Sequence, residues 1–81
     1  MAMPTDEELM LRVRQGDRAA FNCLMDRYER PVLNVIYRYL QDYNAAQDLM
    51  QETFLRVYKA RERYEVKAKF STWLFQIAVN L

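Results

Sequence analysis

Two carboxylates four residues apart, Asp48 and Glu52, are the groups in this 81-residue chain whose type and spacing come nearest to reaction chemistry, since such a pair can act as general acid and general base. Little else supports an enzyme. The chain has no histidine, which removes the usual general base and the commonest transition-metal ligand. Its single cysteine, Cys23, lies beside Ala20 and Leu24 and reads as a small packed residue. No glycine-rich phosphate loop, nucleophile motif or metal-ligand cluster is present. No catalytic residue, metal site or cofactor is assigned, and an enzyme would need a pocket gathering Asp48 and Glu52.

Binding chemistry suits the same stretch better. Asp48, Gln51, Glu52, Leu55 and Lys59 recur at helical spacing along one stripe, opposite a stripe of Ala46, Leu49, Met50, Thr53, Phe54 and Val57. An acidic ridge with a leucine in its middle fits a partner that presents Arg or Lys around a small apolar socket. The alternative is an ordinary wet helix face, on which Glu52 pairs with Arg56 for about 0.2–0.5 kcal/mol and Leu55 is one more singly exposed leucine. Spacing alone leaves both open.

A second constellation follows: Arg61, Arg63, Tyr64, Lys67, Lys69, Phe70, Ser71, Thr72 and Trp73. Cations interleaved with aromatics match single-stranded nucleic acid, because phosphates need cations and unstacked bases need flat platforms worth about 1–3 kcal/mol each. Hydroxyls and free amides at a helix start can add contacts. The alternative is a solvated charged loop with Tyr64, Phe70 and Trp73 all in the core, and core packing is favoured for Phe70 and Trp73. Gln76 and Asn80 share a polar helix face with Thr72 and could read base edges, although they are also ordinary surface types.

These groups must be positioned by helices. Thr5 with Glu8 forms a capping box and Gly16 a left-handed stop, which predicts a helix from Asp6 to about Gln15. Asp17 caps the next, whose apolar face carries Phe21, Leu24, Met25, Tyr28, Val32, Val35, Ile36 and Tyr39. Pro31 predicts a kink or a fresh first turn between two segments lying roughly end to end. Asn44 with Gln47 resembles another capping box, which predicts a helix from about Ala45 to about Ala60. The second half of RERYEVKAKF reads as a loop. Ser71 then caps a last helix whose stripe is Phe70, Trp73, Leu74, Ile77, Ala78 and Leu81.

The fold class is therefore all-α, a compact bundle of about four helices with the second kinked near Pro31. The chain is 52% apolar with one Gly and two Pro, and that balance favours long uninterrupted elements. A domain this small buries only about 60–65% of its unfolded surface. Charge is uneven. Met1 to Glu52 holds six Arg against nine Asp and Glu, whereas Thr53 to Leu81 holds six Arg and Lys against two Glu, so one body carries two kinds of surface. The chain has no apolar run of membrane-spanning length, and its N-terminus lacks the blocks of a signal peptide. A cytoplasmic protein without membrane insertion is expected. Because the last periodic stretch has no stop signal, the natural protein is expected to continue past Leu81.

Taken together, GDRAAFNCLMDRY, AAQDLMQETFLRVYKARERY and FSTWLFQIAVNL resemble bacterial RNA polymerase sigma factors of the extracytoplasmic-function (ECF) group. The likeness spans nearly the whole chain and corresponds to region 2, the promoter-melting domain. Its D-L-x-Q-E-x-F run, basic loop and F-S-T-W-L are specific in combination. The resemblance implies a transcription initiation domain with no covalent chemistry. Asp48, Gln51, Glu52, Leu55 and Lys59 would dock on the coiled coil of the polymerase's largest subunit. Arg63, Tyr64, Lys67, Lys69, Phe70, Ser71, Thr72 and Trp73 would capture a flipped base and hold the non-template strand of the minus-ten promoter element. Gln76 and Asn80 would meet the upstream edge of that element. An anti-sigma protein is a further implied partner. The family's second helix-turn-helix domain, which reads the minus-thirty-five element, and the end of the last helix would be expected to lie beyond these 81 residues. The competing reading is a helical module that binds only protein.

Overall fold

In the computed structural model, which describes residues 2–80, the chain folds into α1 (Asp6–Arg14), α2 (Arg18–Leu40), α3 (Tyr43–Lys59) and α4 (Phe70–Val79). A single 3₁₀ turn at Arg61–Arg63 follows α3, and the described residues include no strand. Local chemistry sets the first boundaries as the sequence predicts. Thr5 Oγ1 accepts the Glu8 amide at 3.1 Å while the Glu8 carboxylate accepts the Thr5 amide at 3.4 Å. Gly16 takes a φ of 91°, where a side chain would be strained. Asp17 accepts the Ala20 amide at 3.1 Å and is held at 2.9 Å by Arg12, which fixes the turn into α2.

Pro31 does not start a new segment. The 23-residue α2 runs straight through it in helical assignment, so the two predicted end-to-end segments are one helix. Proline has no N–H to donate to the Arg27 carbonyl, and Pro31 itself lies on the exposed face of the helix. At 1.5 Å per residue α2 is about 34 Å long, which accounts for most of the 37 Å long dimension of the domain.

Two caps differ from expectation. Gln41 closes α2 in the left-handed region, with φ of 58°, and this turn makes Asp42 rather than Asn44 the first extended residue. Asp42 accepts the Ala45 amide at 3.1 Å and α3 starts at Tyr43, while the Gln47 amide nitrogen donates to the Tyr43 hydroxyl at 3.3 Å. Ser71 likewise lies inside the first turn of α4, which begins at Phe70. Lys69 precedes it without a side-chain cap. The cap comes from a remote residue: the Phe70 amide donates to Glu7 Oε2 of α1 at 2.8 Å.

The core collects Leu9, Met10 and Val13 from α1, Ala20, Leu24, Val32 and Ile36 from α2, Ala46, Phe54 and Val57 from α3, and Phe70, Leu74 and Ala78 from α4. Thr53 is fully buried, and its hydroxyl donates back to the Leu49 carbonyl at 2.7 Å, which leaves no unpaired polar group there. Tyr39 departs from its predicted stripe and is 79% exposed. It stands in the last turn of α2, at the rim of a shallow apolar groove with Val35, Leu40, Leu49 and Val79. Leu81, assigned to the α4 stripe, lies outside the described residues. No described helix is long and apolar enough to cross a membrane. That finding concerns membrane crossing alone and does not extend to the cytoplasmic placement expected from the sequence.

Candidate functional site

The acidic stripe of α3 faces outward. Phe54 and Val57 anchor the opposite face in the core, and Asp48, Gln51, Leu55 and Lys59 are exposed, with Glu52 half-buried beside them. Leu55 is 46% exposed, so an apolar side chain stands in water in the middle of the ridge. Glu52 meets Arg56 at 3.4 Å, one helical turn on, and both side chains remain wet. Such a pair contributes about 0.3–0.5 kcal/mol and leaves the carboxylate available to a better cation. Neither Asp48 nor Glu52 lines the groove beside Tyr39 or the cleft beside Lys59.

Lys59, at the far end of the same stripe, belongs to a second environment. With Arg56, Ala60, Arg63, Ile77 and Asn80 it lines an open cleft of about 320 Å³ between the end of α3 and the end of α4. Helix and 3₁₀ turn together bring these cations to one place, and the Asn80 side chain supplies an amide there. Arg56 is not among the residues expected from the sequence, where its i+4 relation to Glu52 places it with the acidic ridge.

Residues Glu65 to Lys69 form the loop between the 3₁₀ turn and α4. Underneath is an aromatic cluster: the Tyr64 ring meets Trp73 at 5.1 Å and Phe70 at 6.1 Å, and Phe70 meets Tyr28 at 5.6 Å, edge to face in each case. Pairs of this kind add about 0.5–1.5 kcal/mol beyond the area they bury. Tyr64 and Phe70 are 1% and 0% exposed, so neither can offer a stacking platform. This corrects their placement among the contact residues: the helical period of α4 brings Phe70 into the core with Leu74, Tyr64 packs edge to face against Phe70 and Trp73, and both shape the loop from below. Trp73 is half-buried. The Tyr64 phenol is pushed above its ordinary range by burial and then by the nearby Glu7 and Asp6 carboxylates.

Above that cluster the loop exposes Val66, Lys67 and Lys69. Lys67 Nζ approaches Glu65 at 3.4 Å, but both side chains are largely in solvent, and water screens the pair. Lys69 has no ion pair among the described residues. Arg61, by contrast, turns inward. Its guanidinium sits 4.2 Å over the Tyr58 ring and donates to the Tyr58 carbonyl at 2.9 Å, which takes it out of the cationic surface. Thr72, Gln76 and Asn80 are placed along α4 and its C-terminal cap, and Ser71, Thr72, Phe75, Gln76 and Val79 line a shallow depression. The amide at the start of α4 is not free for a ligand, since Glu7 already accepts from it.

Two residues outside the sequence prediction hold this loop. Glu7 caps its C-terminal end at Phe70, and Arg14 Nη1 donates to the Tyr64 carbonyl at its N-terminal end at 3.3 Å. Within α1, Glu7 reads as a first-turn acid that complements the helix dipole, and nothing nearby in sequence signals a partner 63 positions away.

The chain that builds this all-helical body, with its outward acidic α3 and cationic, aromatic-backed loop leading into α4, matches a known family in sequence and in fold. The Sigma-70 region 2 model matches residues 24–81, and the chain belongs to that family as a region 2 domain of the ECF sigma-factor group. It is 42% identical over 76 residues to the ECF RNA polymerase sigma-E factor of Haemophilus influenzae, and 39% identical over 75 residues to the RNA polymerase sigma-H factor of Pseudomonas aeruginosa. Those matches cover 94% and 93% of this chain but only 40% and 39% of the two relatives, so the chain spans about two fifths of their length. An NMR structure of an engineered region 2 of sigmaE in complex with GTAAAA superposes with a TM-score of 0.91 at 41% identity, covering 99% of this chain and 84% of that one.

Proposed function

We propose that this domain docks on core RNA polymerase through the outward face of α3 and recognises and opens the minus-ten promoter element with the Glu65–Lys69 loop and the exposed face of α4. One observation carries the reading: the same small body presents an acidic ridge around the exposed Leu55 and, beyond it, the cations Lys59, Arg63, Lys67 and Lys69. The ridge suits a coiled coil of the polymerase's largest subunit bearing Arg or Lys beside an apolar socket. The cationic side suits the non-template strand, whose phosphates pass Lys67, Lys69 and the Arg63–Asn80 cleft while part of Trp73 offers a base its face.

The relative in complex with GTAAAA supports a nucleic-acid ligand on this fold. Strand opening then needs no covalent step. Extruding a base costs on the order of a few kcal/mol, and loop contacts with phosphate neutralisation offset that cost. In this reading, residues 1–81 supply polymerase docking and minus-ten recognition, and minus-thirty-five recognition falls to a separate domain. An anti-sigma protein would act by covering either surface.

The test is titration of the protein with a fluorescent single strand containing GTAAAA across a range of salt concentrations. Affinity is expected to fall steeply with salt, and Lys67→Ala with Lys69→Ala is expected to shrink the log–log slope by about 0.7 for each phosphate no longer neutralised. Salt-independent or absent binding would leave a module that binds only protein.

A further inference from the structure

Helix α1 lies outside the residues matched by the family model, which begins at residue 24, yet it supplies side-chain anchors at both ends of the nucleic-acid loop. Glu7 Oε2 accepts the Phe70 amide at 2.8 Å, and Arg14 Nη1 donates to the Tyr64 carbonyl at 3.3 Å. The neighbouring Asp6 is tied to α2, accepting from Arg27 at 2.9 Å and from the Tyr28 hydroxyl, so the first turn of α1 is itself fixed. Between the anchors the loop carries its cations in solvent, with an internal bond from the Ala68 amide to the Glu65 carbonyl at 2.9 Å.

We propose that Glu7 and Arg14 are positioning residues: α1 acts as a strap that sets the spacing of Tyr64 and Phe70, and thereby pre-forms the loop that receives the unpaired strand. The inference rests on the nucleic-acid reading above. A loop ordered before binding spares the complex the entropy of ordering it. The strap also reverses an electrostatic expectation. Glu7 is a negative charge close to a surface meant for phosphates, and by long-range charge alone its removal would tighten binding. If its acceptor oxygen holds the loop in place, removal weakens binding instead.

Glu7→Ala and Glu7→Gln separate the two effects, because both remove the charge and only glutamine keeps a side-chain oxygen able to accept the Phe70 amide. The measurements are affinity for a GTAAAA single strand and hydrogen exchange of the amides of residues 66–70 in the free protein, with urea unfolding to verify that each variant is folded. Glu7→Ala is expected to bind about tenfold more weakly than Glu7→Gln and to exchange the loop amides faster. Its salt slope should match the parent, since every phosphate keeps its cation. Glu7→Gln should bind at least as tightly as the parent. Equal affinity for the two variants, or unchanged loop exchange in Glu7→Ala, overturns the strap. A parent that fails to bind the strand overturns the nucleic-acid reading, and this inference with it. That outcome is distinct from failure of the strap, in which the parent binds and the two variants match. Should Glu7→Ala prove unfolded, Arg14→Ala provides the same exchange test at the Tyr64 end.

Discussion

The phenol of Tyr64 donates to the carbonyl of Ala68 at 2.6 Å, so the buried ring at the start of the loop also ties down the backbone near its end. Tyr64→Phe keeps the ring packing against Trp73 and Phe70 and deletes only that bond. The expected cost is about 0.5–1.5 kcal/mol, or roughly 4–8 °C in Tm for each kcal/mol in a domain of this size. Thermal unfolding of parent and variant measures it. An unchanged Tm would mean that Ala68 finds an equal partner in water.

On the opposite surface, Leu55→Ala removes an exposed side chain and should change stability by no more than about 0.5 kcal/mol. If the ridge is the docking face, the same change should weaken association with core polymerase at least about tenfold, as truncation of a central apolar anchor does. Glu52→Arg should abolish association and leave helical content intact. Pull-down with core polymerase beside far-ultraviolet circular dichroism reads both, and a mutant that binds like the parent would move the interface elsewhere.

Core deletions should be severe in so small a body. Leu74 is fully buried among side chains of the bundle, and Leu74→Ala is expected to cost about 2–5 kcal/mol. Urea titration should show an earlier midpoint with an unchanged slope. A loss below about 1 kcal/mol would indicate that α4 packs loosely against the rest.

Alkaline pH should expose the tie between α1 and α2. Burial, and next the hydrogen bond to Asp6, push the Tyr28 phenol from 10.0 up to about 12. A folded value above the unfolded one favours the neutral phenol in the native state. The associated stability is therefore complete below pH 10 and lost as pH rises through about 12. Tyr28→Phe should flatten the pH dependence of unfolding across that window. Asp17 behaves oppositely: the Ala20 amide and then Arg12 hold its carboxyl below the ordinary range. Its contribution is present above the unfolded pKa and lost as pH falls through the folded one, and Asp17→Asn, which retains the cap, should lessen that acid sensitivity.

The parts of the fold legible in the sequence are those whose physics is local. Thr5 and Glu8, Gly16 and Asp17 each act within a few residues and stand where the sequence placed them. The outward turn of Leu55 follows from the same arithmetic, since Phe54 and Val57 can reach the core only if Leu55 faces away. Sequence and structure part where two local signals compete or where the partner is remote. Asp42 and Asn44 are both good caps, and the left-handed Gln41 decided between them. Ser71 yielded to Phe70 as the start of α4 because a carboxylate from α1 satisfies that amide. Arg61 has the spacing of a loop cation, and only the Tyr58 ring beneath it draws it inward. Phe70 lies on the apolar stripe of the last helix, which already favours core over platform, whereas Tyr64 has no such stripe and only its burial decides between the two.

The bond between Glu7 and Phe70 also has a temporal meaning. Its halves are made near the beginning and near the end of synthesis of this domain, and bringing together groups that far apart in the chain is an entropic cost met late in folding. A nascent chain that has emerged only as far as α3 holds a first helix with an unused carboxylate and no second post for its loop. If the loop receives an unpaired strand as proposed, competence to grip it should therefore arise abruptly, when the last helix leaves the ribosome and closes the circuit with the first.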